Sequence, residues 1–141
     1  VFERAESEHE IRLGPVKLVG RIDRIDRLPD GRKLVIDYKT ESLATTKERV
    51  RRAAEDTQLA FYAALLEDDT LRAAYVNVGE RGAVETVEQP DVVEARDMLV
   101  EGIVRDLQAI AEGAHLPALG EGQVCEFCAA RGICRRDHWH G

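Results

Sequence analysis

The chain has 141 residues, of which 44% are hydrophobic, and carries a formal net charge of −7. This length predicts a single domain with a hydrophobic core of its own. No apolar run approaches the roughly 20 residues of a membrane span, and the start lacks the pattern of a secretory signal, so we expect a cytoplasmic protein with no membrane association. The first residue is not Met, and we expect a fragment of a longer protein.

The charge is unevenly distributed. Residues 17–52 hold eleven basic and six acidic residues, whereas the rest of the chain holds nine and twenty-one. The acidic balance of the whole chain argues against an indiscriminate nucleic-acid binder. The basic segment fits a local phosphate-facing surface, and it fits a solvated charge pattern equally well. Charge alone leaves both interpretations open.

The first third of the chain predicts three strands, at 8–13, 16–28 and 33–41. Between the second and third, Pro29-Asp30-Gly31 fits a three-residue hairpin loop in which Gly31 supplies the left-handed conformation. Such a loop fixes the register of the hairpin, because the numbers of paired residues then sum to sixty.

The remainder predicts a helix, two strands and a second helix. Residues 47–67 are rich in Ala, Leu, Glu and Arg, which favour a helix. Two further strands are predicted at 71–78 and 83–87, and apolar residues on one face predict a helix over 91–112. This order of elements indicates an α/β fold with a mixed β-sheet.

The predicted hairpin brings two carboxylates together. In its register Asp23 lies opposite Asp37, with Cβ atoms about 5 Å apart, where like charges repel. A divalent cation between them would explain the arrangement, since Mg²⁺ takes oxygen ligands and needs only one or two protein carboxylates. Lys39 lies two residues further on the same face, where its ammonium could orient a water or stabilise charge on a phosphate.

A solvent-facing strand is the alternative, with the charges paired by Arg21, Arg24 and Arg27. Asp26 lies on the opposite strand face from Asp23, and we expect it to pair with one of these arginines. The hairpin register, the facing carboxylates and the aligned lysine together favour the metal site.

These residues carry a resemblance to a known family. "GRID" is followed, fourteen residues after its Asp, by "DYK", and "QLAFY" provides Q-x-x-x-Y through Gln58 and Tyr62 on one helix face. The set resembles the PD-(D/E)XK nuclease superfamily, specifically its RecB-like exonuclease branch with its AddB-like members. The resemblance implies a restriction-endonuclease-like core, with a mixed β-sheet flanked by helices.

The resemblance also implies roles. Asp23 and Asp37 would be catalytic ligands of Mg²⁺ or Mn²⁺, Lys39 the catalytic lysine, and Gln58 and Tyr62 substrate-binding residues. The implied activity is a metal-dependent deoxyribonuclease, of exonuclease type on single-stranded DNA, which acts in DNA repair and recombination.

The same resemblance implies partners and boundaries. Nucleases of this branch are commonly joined to a helicase module or subunit, so DNA and a helicase are the expected partners. The branch usually carries a His upstream of the first strand, and this chain begins too late to contain it. We therefore expect an N-terminally truncated nuclease core over 1–118 and a cysteine-containing tail over 119–141.

All three cysteines lie in that tail. Cys125, Cys128 and Cys134 have the spacing C-x₂-C-x₅-C. Three are too few for a paired disulfide framework, and clustered thiolates are metal ligands. The resemblance implies a [4Fe–4S] cluster in the complete protein, with its fourth ligand outside this chain.

Two alternatives stay open for the tail. Cys134 and His138 could complete a Cys₃His zinc site, or the thiols could bind nothing. The zinc alternative corresponds to a different class of function, a non-catalytic nucleic-acid-binding module.

Overall fold

The computed structural model describes residues 1–79, 82–115, 125 and 128–134. No helix in this part of the chain is long and apolar enough to cross a membrane. The strands are β1 (Phe2–Leu13), β2 (Val16–Arg27), β3 (Lys33–Lys39), β4 (Arg72–Val78) and β5 (Val84–Gln89), and the helices are α1 (Leu43–Arg51), α2 (Gln58–Leu66), α3 (Val92–Ala111) and the short α4 (Arg131–Cys134).

The five strands form one mixed sheet in the order β1-β2-β3-β4-β5. Strands β3 and β4 run parallel, and the other neighbours are antiparallel. A parallel pair needs a crossover connection, and α1 and α2 supply it. The predicted α/β fold with a mixed sheet is confirmed.

The predicted hairpin between β2 and β3 is also confirmed. Arg24 pairs with Ile36 and Arg27 with Lys33, so the numbers of the paired residues sum to sixty. Gly31 has a φ of +87°, which is the left-handed conformation that the loop requires. The turn chemistry therefore set the register of the two strands that carry the carboxylates.

The first strand is longer than predicted, since β1 begins at Phe2 rather than at residue 8. Half of its residues before residue 8 are charged, and two of them form ion pairs with β2: Glu3 with Arg27 and Glu6 with Arg21. These cross-strand pairs stabilise a segment without hydrophobic alternation, which is why the sequence pattern missed it.

The predicted single helix over 47–67 is wrong, because the structure has two helices there. The first begins early, at Leu43, since the Ser42 side chain accepts a hydrogen bond from the Thr45 amide and caps it. It ends at Arg51, and α2 begins at Gln58. Helix propensity over this segment is overridden by tertiary contacts of Asp56.

Asp56 belongs to a network that fixes this break. Arg49 donates to both carboxylate oxygens of Glu41, at 2.6 and 2.8 Å, and to Asp56 Oδ2 at 2.5 Å. Asp56 Oδ1 in turn accepts from the hydroxyl of Tyr75 at 2.7 Å. We call Glu41, Arg49 and Asp56 the anchor cluster, because it ties the segments at both ends of α1 to β4.

Helix α2 packs closely on β2 at a glycine. A Cβ added to Gly20 would lie 2.6 Å from Leu65 Cδ1 and 2.8 Å from Phe61 Cε1, closer than non-bonded carbon atoms allow. The absence of a side chain therefore lets α2 approach the sheet. The core of the protein lies in this layer, where Ile22, Val35, Leu59, Ala63 and Tyr75 are fully buried.

The chain divides into two compact units, residues 1–104 and 105–141. The first holds the sheet, α1, α2 and the start of α3. The described residues of the second comprise the rest of α3, the four residues after it, Cys125 and the segment around α4.

Candidate active site

Asp37 is the centre of a polar cluster at the carboxyl end of β3. Its side chain is 4% exposed, and its Oδ1 accepts hydrogen bonds from Gln58 Nε2 at 2.7 Å and from the Tyr62 hydroxyl at 3.4 Å. Its Oδ2 lies 2.7 Å from Lys39 Nζ. We call Asp37, Lys39, Gln58 and Tyr62 the site cluster.

The two oxygens of Asp37 are used differently. Among the described residues Oδ2 is buried without a well-oriented hydrogen bond, although Lys39 Nζ lies within ion-pair distance. A carboxylate oxygen can accept two hydrogen bonds. Oδ2 therefore keeps acceptor capacity that the protein itself leaves unused.

Gln58 bridges the acid and the lysine. Its Nε2 donates to Asp37, while its Oε1 accepts from Lys39 Nζ at 2.6 Å. The same Nε2 lies 3.2 Å from the hydroxyl of Tyr62, one turn further along α2. Tyr62 is 8% exposed. The predicted shared helix face of Gln58 and Tyr62 is confirmed, and that face contacts the site cluster.

Asp23 lies beside the cluster, although it is not paired as the register predicted. The ladder between β2 and β3 ends at Arg24 and Ile36, one position short of Asp23 and Asp37. Asp23 Oδ2 instead accepts a hydrogen bond from the Tyr38 amide at 3.2 Å. Glu6, at the level of Asp23 in β1, has no partner in the ladder with β2 and has a φ of +45°.

The surroundings of Asp37 disfavour the charged form of its carboxyl group. Burial raises the pKa of Asp37, Lys39 opposes that rise, and repulsion from Asp23 adds to it. The net direction is upward, so the charged form is less favourable here than in water. Burial likewise raises the pKa of the Tyr62 hydroxyl. A cation at Oδ2 would relieve the unfavourable charge of Asp37.

The neighbouring arginines pair elsewhere. Arg24 binds both oxygens of Asp26, at 2.7 and 2.9 Å, as predicted for Asp26. Arg21 and Arg27 pair with acidic residues of β1. The alternative of a solvent-facing strand neutralised by these arginines therefore does not describe the site.

The residues present fit a hard divalent cation. No group of three His, Cys, Asp or Glu residues that could hold a metal occurs among the described residues. Mg²⁺ needs only one or two protein carboxylates, since waters and phosphate oxygens complete its coordination. Asp23 and Asp37, with the unused capacity of Asp37 Oδ2, meet that requirement.

The cysteines remain outside any site that the structure displays. Cys125 is partly buried, and Cys128 and Cys134 are exposed. His138 lies outside the described residues, and so does most of the tail that follows residue 118. The iron–sulfur cluster and its zinc alternative stay predictions.

Sequence reasoning missed Tyr75. In the parallel ladder between β3 and β4, Tyr75 is the direct neighbour of Asp37, and Lys39 Nζ lies 5.1 Å from the centre of its ring. The only signal in the sequence is a large aromatic residue inside a strand of small ones, "RAAYVNV". That signal predicts core packing as readily as a place in the site.

Comparisons with known proteins concern the family and the fold of the chain. A family model, the PD-(D/E)XK nuclease superfamily, matches residues 2–135. The crystal structure of SSO0001 is similar in fold, with a TM-score of 0.52 at 22% identity over 93% of this chain and 59% of that one. This chain therefore spans well under two thirds of that protein. None of the curated proteins compared with the chain matches it. The five-stranded mixed sheet is consistent with the restriction-endonuclease-like fold, and the chain belongs to the PD-(D/E)XK nuclease superfamily.

Proposed function

We propose that this protein hydrolyses phosphodiester bonds of DNA, with Mg²⁺ or Mn²⁺ as cofactor, at the site formed by Asp23, Asp37 and Lys39. Membership of the superfamily implies a metal-dependent nuclease. The observation that carries the assignment of the site is Asp37, a carboxylate 3% exposed whose pKa is raised. Perturbed acids of this kind concentrate at functional sites.

Each residue of the site has a distinct task in this proposal. A bound Mg²⁺ or Mn²⁺ supplies a water of lowered pKa and neutralises charge on the phosphate. Asp23 and Asp37 would hold the cation, and Gln58 fixes Asp37 through Oδ1, which would leave Oδ2 for the metal. The Lys39 ammonium has three N–H donors, and one of them stabilises the charge that develops on the phosphate in the transition state.

Gln58 and Tyr62 remain predicted substrate-binding residues. Their hydrogen bonds to Asp37 support an additional role, since they hold the carboxylate in one orientation.

We propose the finer assignment from the sequence motifs alone. The combination G-x-x-D, D-Y-K and Q-x-x-x-Y supports the RecB-like branch, and with it exonuclease action on single-stranded DNA in repair, together with a helicase module or subunit. The spacing of the three cysteines supports a [4Fe–4S] cluster whose fourth ligand lies outside this chain.

The test is cleavage of end-labelled single-stranded DNA with Mg²⁺, with Mn²⁺ or with EDTA, by the wild type and two variants. Asp37→Asn removes a site carboxylate, and Asp26→Asn is its matched control, because Asp26 pairs with Arg24 in the same hairpin. We expect cleavage by the wild type and Asp26→Asn that EDTA abolishes, and a loss of more than about a hundredfold in Asp37→Asn.

Two results would contradict the proposal. Cleavage by Asp37→Asn at the wild-type rate would remove Asp37 from the site. DNA binding without cleavage in either metal would favour the non-catalytic module instead.

A further inference from the structure

Lys39 has a neighbour that the proposed mechanism does not use. Its Nζ lies 5.1 Å from the centre of the Tyr75 ring, within the roughly 6 Å at which a cation is attracted to an aromatic face. Tyr75 is fully buried and stands beside Asp37 in the parallel ladder. Since side chains two apart on a strand share a face, the ring lies on the face that carries both Asp37 and Lys39.

The far end of the ring is anchored. The Tyr75 hydroxyl donates to Asp56 Oδ1 at 2.7 Å, and Asp56 is held by Arg49, which also binds Glu41. A phenol that donates to a carboxylate gains electron density in its ring, and this strengthens the attraction to an ammonium. The anchor cluster therefore sets both the position of the ring and its electrostatic character.

An aromatic face suits this place better than a third carboxylate would. It attracts the ammonium but carries no formal negative charge, so it adds nothing to the neutralisation of Lys39 by Asp37. It also offers no oxygen that would compete with Asp23 and Asp37 for a cation. Lys39 thus remains available to a phosphate while it is held in place.

We propose that Tyr75 is a positioning residue, whose ring face holds the Lys39 ammonium where it meets the reacting phosphate. This inference rests on the proposed nuclease function. The ring does the positioning, and the hydroxyl serves to fix the ring. The two parts can be separated by substitution.

The test compares Tyr75→Phe with Tyr75→Leu. Phenylalanine keeps the ring and loses the bond to Asp56, so we expect a lower melting temperature and a smaller fall in kcat than in Tyr75→Leu. Leucine removes the ring, so we expect kcat to fall about tenfold, with KM for DNA and Mn²⁺ affinity unchanged. In the Lys39→Met background, Tyr75→Leu should cause no further loss of kcat. Tyr75→Met replaces Tyr75→Leu if the latter does not fold.

A loss of kcat that is proportional to the fall in melting temperature in both variants would overturn the positioning role. So would full kcat in Tyr75→Leu.

A spectroscopic readout separates this inference from the nuclease proposal. The ε-methylene protons of Lys39 should be shifted upfield by the ring in the wild type and in Tyr75→Phe, but not in Tyr75→Leu. Lys39→Met identifies the signal by removing it. Absence of the shift in the wild type would overturn the inference whatever the activity. A shifted signal in a protein without nuclease activity would overturn the proposed function, and the positioning role of Tyr75 with it, while the contact between the two side chains would stand.

Discussion

The site cluster and the anchor cluster both place carboxylates beside basic side chains, yet the pKa values of these carboxylates are shifted in opposite directions. In the anchor cluster, hydrogen bonds from Arg49 lower the pKa of Glu41. Burial raises the pKa of Asp56, but hydrogen bonds from Tyr75 and Arg49 outweigh this effect, so the pKa is lowered overall. In the site cluster, burial outweighs the nearby positive charge of Lys39, and the pKa of Asp37 is raised.

The difference lies in how completely the oxygens are satisfied. Both oxygens of Asp56 and both of Glu41 accept hydrogen bonds, whereas Asp37 Oδ2 has no well-oriented donor among the described residues. A fully bonded carboxylate stabilises the fold, and an incompletely bonded one reduces its stability. Asp37 is therefore best explained by a ligand that completes it.

The largest effect should come from Lys39→Met. The substitution removes the ammonium from the phosphate, and we expect kcat to fall about a hundredfold or more. Because Lys39 is not a proposed ligand, Mn²⁺ should bind at least as tightly as in the wild type. Steady-state cleavage and calorimetry provide the two values, with Lys33→Met, at the other end of β3, as the matched control. Wild-type kcat in Lys39→Met would contradict the role of the lysine.

The two clusters should differ in what their acids contribute to stability. Asp37→Asn removes an unfavourable buried charge, so we expect the free energy of unfolding at pH 7 to stay the same or rise. Asp56→Asn breaks charged hydrogen bonds, so we expect it to fall by about 1–3 kcal/mol. Urea denaturation measures both. Equal destabilisation by the two substitutions would show that Asp37 is a structural acid like Asp56.

A smaller effect concerns the pH dependence of these differences. The folded protein holds the proton of Asp37 more tightly than the unfolded chain does, so its contribution to stability is lost as the pH rises from the ordinary carboxyl range of about 4. For Asp56 the sign is reversed, because its folded pKa is lowered: its stabilisation is present above about pH 4 and is lost as the pH falls through the folded pKa.

Urea midpoints between pH 3.5 and 8 test this opposition. The urea midpoint of Asp37→Asn should exceed that of the wild type by a larger amount as the pH rises. The midpoint of Asp56→Asn should approach that of the wild type as the pH falls. Two parallel profiles would mean that the acids do not differ as the structure indicates.

The parts of the site that the sequence predicted are those fixed by local chemistry. The loop at Gly31 set the register of the hairpin, and strand alternation aligned Lys39 with Asp37. Helical spacing placed Gln58 and Tyr62 on one face. Each of these relations depends on residues in one hairpin or one helical turn, where turn type and period decide the geometry.

The parts that were missed depend on contacts between distant segments. Asp56 interrupts the predicted helix because it bonds to Tyr75 in β4, nineteen residues further on. Tyr75 reaches the site because the parallel register of β3 and β4 places it beside Asp37. A crossover of two helices does not fix that register by local rules, so no pattern in the sequence predicted either contact.

The most direct test of the central claim is Mn²⁺ binding, followed by electron paramagnetic resonance, to the wild type, Asp37→Asn and Asp56→Asn. We expect the wild type and Asp56→Asn to bind Mn²⁺ with similar affinity. Asp37→Asn should lose more than about tenfold in affinity. Wild-type affinity in Asp37→Asn, or an equal loss in Asp56→Asn, would contradict the claim that the incompletely bonded carboxylate of Asp37 is kept for a metal ion.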